Sequence, residues 1–132
     1  MTEPIKVNVL GRSHAVVLPD YAAREELVVA YGEAMRRKGV ALLRVYAAAV
    51  GLCTRIGREA EADYAAHRFD VLAYGGAVYT HLRGAGLAAA DLAAAAGPIL
   101  VAVMEATFPR AVEVEAVAGN SGGSAATPTE LP

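Results

Sequence analysis

The chain has 132 residues, a formal net charge of −2 and a hydrophobic fraction of 55%. This length predicts one domain with a core of its own. The slightly acidic balance argues against nucleic acid as the main partner, because phosphate binding needs a basic surface. The N-terminus lacks the basic and apolar regions of a secretory signal, and the apolar run that ends at Cys53 is too short to span a membrane. We therefore expect a soluble cytoplasmic protein without membrane contact.

The first predicted element is a β-hairpin that spans about residues 5–18. The stretch IKVNVL places Ile5, Val7 and Val9 on one face, and HAVVLP is typical of a second short strand. The three residues Gly11–Ser13 between them contain the glycine that a hairpin turn favours.

A helix is predicted from the residue after Asp20 to about Lys38. Asp20 is a typical N-cap, and the cations at its end complement the helix dipole. The residues expected to face inward are Leu27, Val28, Tyr31 and Met35.

The segment Val40–Cys53 is apolar nearly all round, which predicts a helix at the centre of a domain or an oligomer. We expect self-association from this surplus of apolar surface. The segment 54–68 that follows is polar and reads as a connection with a helical turn at most.

Two more helices are predicted, one over 70–83 and one over 87–108, where Gly97 and Pro98 are expected to kink or split the helix. The predicted fold class is therefore mainly α with a short N-terminal β-hairpin (α+β), built as a small bundle of about four helices. Residues 1–118 form the single predicted domain. The Gly/Ser/Thr/Pro tail over 119–132 is expected to be disordered.

The adjacent glycines of DVLAYGGAVYTHLRGAG suggest either a phosphate-binding loop or a helix-packing site. On a helical wheel Gly75 falls inside an apolar stripe and Gly76 joins a row of small residues, while Tyr74 and His81 lie towards solvent. Small residues let two helix backbones approach closely, so we predict packing against the second helix. The residues assigned to helix packing are Gly75, Gly76, Val71, Val78 and Leu82.

The sequence carries no nucleotide-binding loop, nucleophile elbow or zinc-binding motif. Its three histidines, His14, His67 and His81, are far apart; Asp63 and His67 stand four residues apart and could share a helix face, but there is no third ligand. We therefore predict no catalytic residue, no metal site and no cofactor, and a protein that is not an enzyme. A small enzyme or ligand-binding domain that uses one of these three histidines is an alternative.

A family resemblance rests on the element order, the RVYAAAVGLC helix, the DVLAYGGAV stretch and the acidic EVE before a Gly/Ser tail. Over most of residues 5–118 this layout resembles the tail assembly chaperones of long-tailed bacteriophages and of related prophages and tail-like elements. The resemblance implies a non-enzymatic protein that coats the aggregation-prone tape-measure protein and helps recruit tail-tube subunits. It also implies that the C-terminal tail is a linker to a second module, made through a ribosomal frameshift.

Partner binding is expected on the two most apolar helices. A structural virion protein, such as a neck or tail-completion subunit, is the alternative function. The residues predicted to bind a partner are Leu43, Val50, Leu100 and Val103.

Overall fold

The computed structural model describes residues 5–61, 63–67 and 70–108. It confirms a mainly helical fold with an N-terminal hairpin. The expected domain boundary at 118 and the tail over 119–132 lie outside the described residues. The elements are β1 (Lys6–Val9), β2 (Arg12–Ala15), α1 (Tyr21–Arg37), α2 (Val40–Cys53), the four-residue α3 (Ile56–Glu59), a 3₁₀ turn (Ala65–His67), α4 (Val71–Gly84) and α5 (Ala89–Thr107).

The hairpin is present, but its turn is shorter than predicted. Strands β1 and β2 are antiparallel, with Val9 opposite Arg12, so Leu10 and Gly11 alone form the turn. Both turn residues have positive φ, 53° and 79°. A two-residue turn of this kind matches the twist of the flanking strands, whereas the predicted three-residue turn needs only one such residue. The sequence does not indicate this turn, because Leu10 adopts a positive φ that leucine rarely adopts.

Helix α1 begins where the sequence predicts. The Asp20 carboxylate accepts a hydrogen bond from the Ala23 N–H at 3.0 Å. The buried face differs in part from the prediction, because Ala34 is buried and Met35 is exposed. One residue along a helix turns the side chain by about 100°, so the stripe from Leu27 ends on Ala34 rather than on its neighbour.

Helix α2 is the centre of the fold and packs against α1, α3, α4 and α5. It matches the predicted segment Val40–Cys53, and half of its residues are buried, including Val45, Val50 and Cys53. Burial raises the pKa of the Cys53 thiol to about 12. Because the chain's own helices cover α2, its apolar character has an intramolecular explanation and is no separate reason to expect self-association.

The α2–α4 contact depends on a backbone approach at Gly75. A Cβ atom placed on Gly75 would overlap the Arg44 carbonyl oxygen, and it would lie 3.2 Å from the Ala48 Cβ. Gly76 is different, since the nearest atom to its added Cβ would be the Arg44 Nε at 3.6 Å, an ordinary contact. Gly75 therefore sets the distance between the two helices. The other residues assigned to this packing stripe, Val71, Val78 and Leu82, are buried.

The prediction that Tyr74 faces solvent is wrong, since its side chain is only 2% exposed. The ring fits between α2 and α3 because two glycines leave room for it. A Cβ on Gly51 would lie 2.7 Å from the Tyr74 hydroxyl, and one on Gly57 would also be too close. The wheel placed Tyr74 outside because it treats α4 alone, whereas the short α3 covers this side of it. Burial raises the pKa of Tyr74 to about 12.

Helix α5 continues through Pro98 and is not split at Gly97–Pro98. Pro98 and Ala94 are both exposed, so the helical hydrogen bond that proline cannot donate to the Ala94 carbonyl is missing on the solvent side of α5 rather than in the core. In the part of the chain that the structure describes, α5 is the one helix with the length and apolar composition of a membrane span, and a third of its most apolar window is buried. A core helix has the same composition, so this finding is weak support for a membrane span.

The two adjacent glycines make a matched test of the packing. Gly75→Ala should lower the free energy of unfolding by about 1–3 kcal/mol or more, because the backbones must separate to admit the methyl group. Gly76→Ala should be neutral or should raise it by up to about 1 kcal/mol, the helix propensity of alanine over glycine. Urea unfolding followed by circular dichroism measures both. Equal effects of the two substitutions would contradict the account.

Candidate partner-binding groove

The four residues predicted to bind a partner do not form a surface. Val50, Leu100 and Val103 are each at most 2% exposed, and Leu43 is half-buried. The prediction is wrong for Val50, Leu100 and Val103, because α2 and α5 pack against each other in the core. Apolar composition does not reveal which side chains the chain covers with its own helices.

An accessible apolar surface lies instead along α1, beside the first turn of α4. Two adjoining depressions of about 370 and 380 Å³ share Glu26 at their junction. Their floor is apolar and includes Ala23, Ala30 and Leu72, and Val29 at the margin is 58% exposed. We call this surface the acidic groove and define its margin by Asp20, Glu25, Glu26, Val29, Glu33 and Asp70.

The charged residues that line the groove all have the same sign. Five carboxylates and no lysine, arginine or histidine line the two depressions. The chain has 14 acidic residues and 12 lysines and arginines, so a mixed lining would be the expected arrangement for a surface without a preferred partner. The groove therefore presents an apolar floor in a negative field.

Local structure holds three of these carboxylates in place. Asp20 caps α1, and Asp70 caps α4 by accepting hydrogen bonds from the Leu72 and Ala73 N–H groups at 3.1 Å. Glu26 accepts a hydrogen bond from the Tyr64 hydroxyl. This bond and burial raise the pKa of Tyr64 above its ordinary value, with burial as the larger cause. The remaining two, Glu25 and Glu33, are exposed.

Helical spacing explains why these residues share one side of α1. Val29 and Ala30 lie three and four residues after Glu26, and Glu33 lies four and three residues after them, which places all four in adjacent turns of one face. The stretch from Asp20 to Glu33 spans about 20 Å along the helix axis. The groove therefore has the length of a short helix of a partner.

The chemistry of the groove is suited to binding an amphipathic helix. An amphipathic helix can place its apolar face on such a floor, and cationic side chains beside that face would meet the carboxylates. Over the described ranges 5–61, 63–67 and 70–108, no group of three or more histidine, cysteine or acidic side chains is arranged to hold a metal ion. His67 contacts the backbone carbonyl of Asp63 at 2.8 Å, His81 is exposed and His14 is buried.

The chain was compared with protein-family models, with curated proteins and with solved structures, and none of them matches it. The acidic groove is therefore the feature of the structure that points most directly to a function. Sequence reasoning missed it, although the acidic residues of α1 at helical spacing were a usable signal. The other wall comes from α4 and from Tyr64, far along the chain, and only the folded structure brings these segments to α1.

The hydrogen bond between Tyr64 and Glu26 should help to hold the chain around Tyr64 against α1. We expect Tyr64→Phe to lower the free energy of unfolding by about 0.5–1.5 kcal/mol, the usual contribution of a hydrogen bond, because the ring still packs edge-on against Tyr74. Glu26→Gln and the double variant complete a double-mutant cycle, measured by urea unfolding. Strict additivity of the two substitutions would show that the bond contributes nothing.

Proposed function

We propose that this protein is a non-enzymatic assembly chaperone of the phage-tail type, which binds the long helical tape-measure protein in the cytoplasm of the bacterial host. The observation that carries the proposal is the acidic groove, an apolar floor about as long as a short helix with a margin of carboxylates. A chaperone for exposed helix needs accessible apolar contacts rather than a pocket with reactive groups.

The negative charge of the groove favours a partner with a specific sequence pattern. A segment with apolar residues at helical spacing and flanking lysines or arginines would meet only carboxylates in the groove, whereas an acidic segment would be repelled. We infer that the bound stretches of the tape-measure protein are basic amphipathic helices. Each contact of this size is weak, and many copies along one long chain would coat it through repeated binding.

The resemblance of the element order and of the DVLAYGGAV stretch to tail assembly chaperones supports the same proposal. On that resemblance the protein also helps to bring tail-tube subunits to the coated tape-measure protein, and it associates with itself on the coat. Neither role needs a cofactor, a membrane or nucleic acid.

The proposal is tested by co-expression with the very long helical protein whose reading frame is expected to follow this gene. We expect the chain to keep fragments of that protein in the soluble fraction. The double variant Glu25→Lys/Glu33→Lys should bind the fragments roughly tenfold more weakly, because like charges then face the basic partner.

A matched control carries the same change of net charge outside the groove. Glu61→Lys/Asp91→Lys alters two exposed acidic residues and should leave binding unchanged. A strictly monomeric protein that leaves the fragments insoluble would overturn the proposal. Recovery of the chain in stoichiometric amounts from finished particles, measured by mass spectrometry, would favour a structural virion protein instead.

A further inference from the structure

A second cleft with the opposite charge lies between the hairpin and α3. It is open, has a volume of about 460 Å³ and shares no lining residue with the acidic groove. Arg12 and His14 enter it from β2, where residues two apart lie on the same face of a strand. Arg55 enters it from the position just before α3, and Arg58 enters it from within α3.

Positive charge dominates this cleft. Its lining holds three arginines and one carboxylate, that of Glu59. The Arg12 Nη2 donates to both Glu59 oxygens at 2.7 and 2.6 Å, and this hydrogen bond holds the pKa of the Glu59 carboxyl below its usual range. Arg55 and Arg58 form no ion pair with any residue that the structure describes. Two guanidinium groups are therefore left without a counter-charge in a protein that is acidic overall.

The histidine of the cleft is also incompletely bonded. His14 is 8% exposed, and its Nε2 atom has no hydrogen-bond partner within the described part of the chain. A buried polar atom that lacks a hydrogen-bond partner destabilises a fold. In most proteins, buried polar atoms are therefore bonded to protein, water or ligand. His14, whose unpartnered Nε2 is shielded from solvent, thus lines the same cleft as the two unpaired arginines.

We propose that this cleft binds the phosphate group of a small phosphorylated molecule, with Arg55 and Arg58 as charge partners and with His14 as a hydrogen-bond donor once a shift of its side chain brings the shielded Nε2 to the cleft. Guanidinium groups match the oxygen geometry of phosphate and form charge-assisted hydrogen bonds with it. The cleft volume falls within the range of small-molecule sites, so there is room for more than the phosphate itself. Ionised Glu59 opposes an anion, but its charge is already neutralised by Arg12.

Isothermal titration calorimetry of the full chain at constant ionic strength tests the site, with inorganic phosphate and adenosine monophosphate as probes and chloride as the reference anion. Both probes should bind, and the nucleotide should bind more tightly if the remaining volume is used. Arg55→Ala and Arg58→Ala should each weaken binding roughly tenfold or more, the usual effect of losing a charge-assisted hydrogen bond. Arg37→Ala in the last turn of α1 removes the same charge outside the cleft and should leave binding unchanged.

A pair of substitutions at His14 separates hydrogen bonding from packing. His14→Gln keeps a nitrogen donor near the position of Nε2 and should retain binding, whereas His14→Leu removes it and should weaken binding while the thermal midpoint of the free protein stays the same or rises. Equal binding by these two variants, or equal losses in Arg55→Ala and Arg37→Ala, would overturn the proposal. Binding of a single-stranded oligonucleotide without binding of either small probe would also overturn it. None of these outcomes depends on the tape-measure protein, so this site and the proposed chaperone function fail separately.

Discussion

The backbone approach of α2 and α4 at Gly75 is the contact on which the rest of the structure depends. Because no side chain stands between Gly75 and the Arg44 carbonyl, α4 lies directly on the central helix. Its N-terminal turn then stands beside α1 and supplies Asp70 and Leu72 to the acidic groove. Further along α2, the same alignment places Tyr74 in the space left by Gly51 and Gly57. The packing glycine and the acidic groove are thus parts of one arrangement.

Features with local causes could be predicted from the sequence. The Asp20 cap, the span Val40–Cys53 and the start of α4 after Asp70 follow from capping chemistry and apolar pattern, which act within one or two helical turns. Burial could not be predicted in the same way. Tyr74 and Val103 are covered by segments distant in sequence, and a wheel drawn for one helix contains no information about its neighbours.

The net charge of −2 conceals a marked separation of charge. Carboxylates are the only charged groups that line the groove along α1, and arginines dominate the cleft between the hairpin and α3. Each surface would favour a ligand of opposite charge, which is the basis of the two proposals made for them. The average composition, which argued against nucleic acid as the main partner, does not record where the charges lie.

The central claim is that the groove along α1 selects a basic amphipathic helix. Its most direct test is a titration of the isotope-labelled protein, followed by amide chemical shifts, with a 14-residue helical peptide of leucine and lysine at helical spacing. A peptide with the same leucines and with glutamate in place of lysine is the matched control. We predict shifts confined to α1, the first turn of α4 and the neighbouring Leu52 and Tyr64, centred on Glu26, Val29 and Val71, with the lysine peptide only. Equal shifts with both peptides, or shifts centred elsewhere on the fold, would contradict the account.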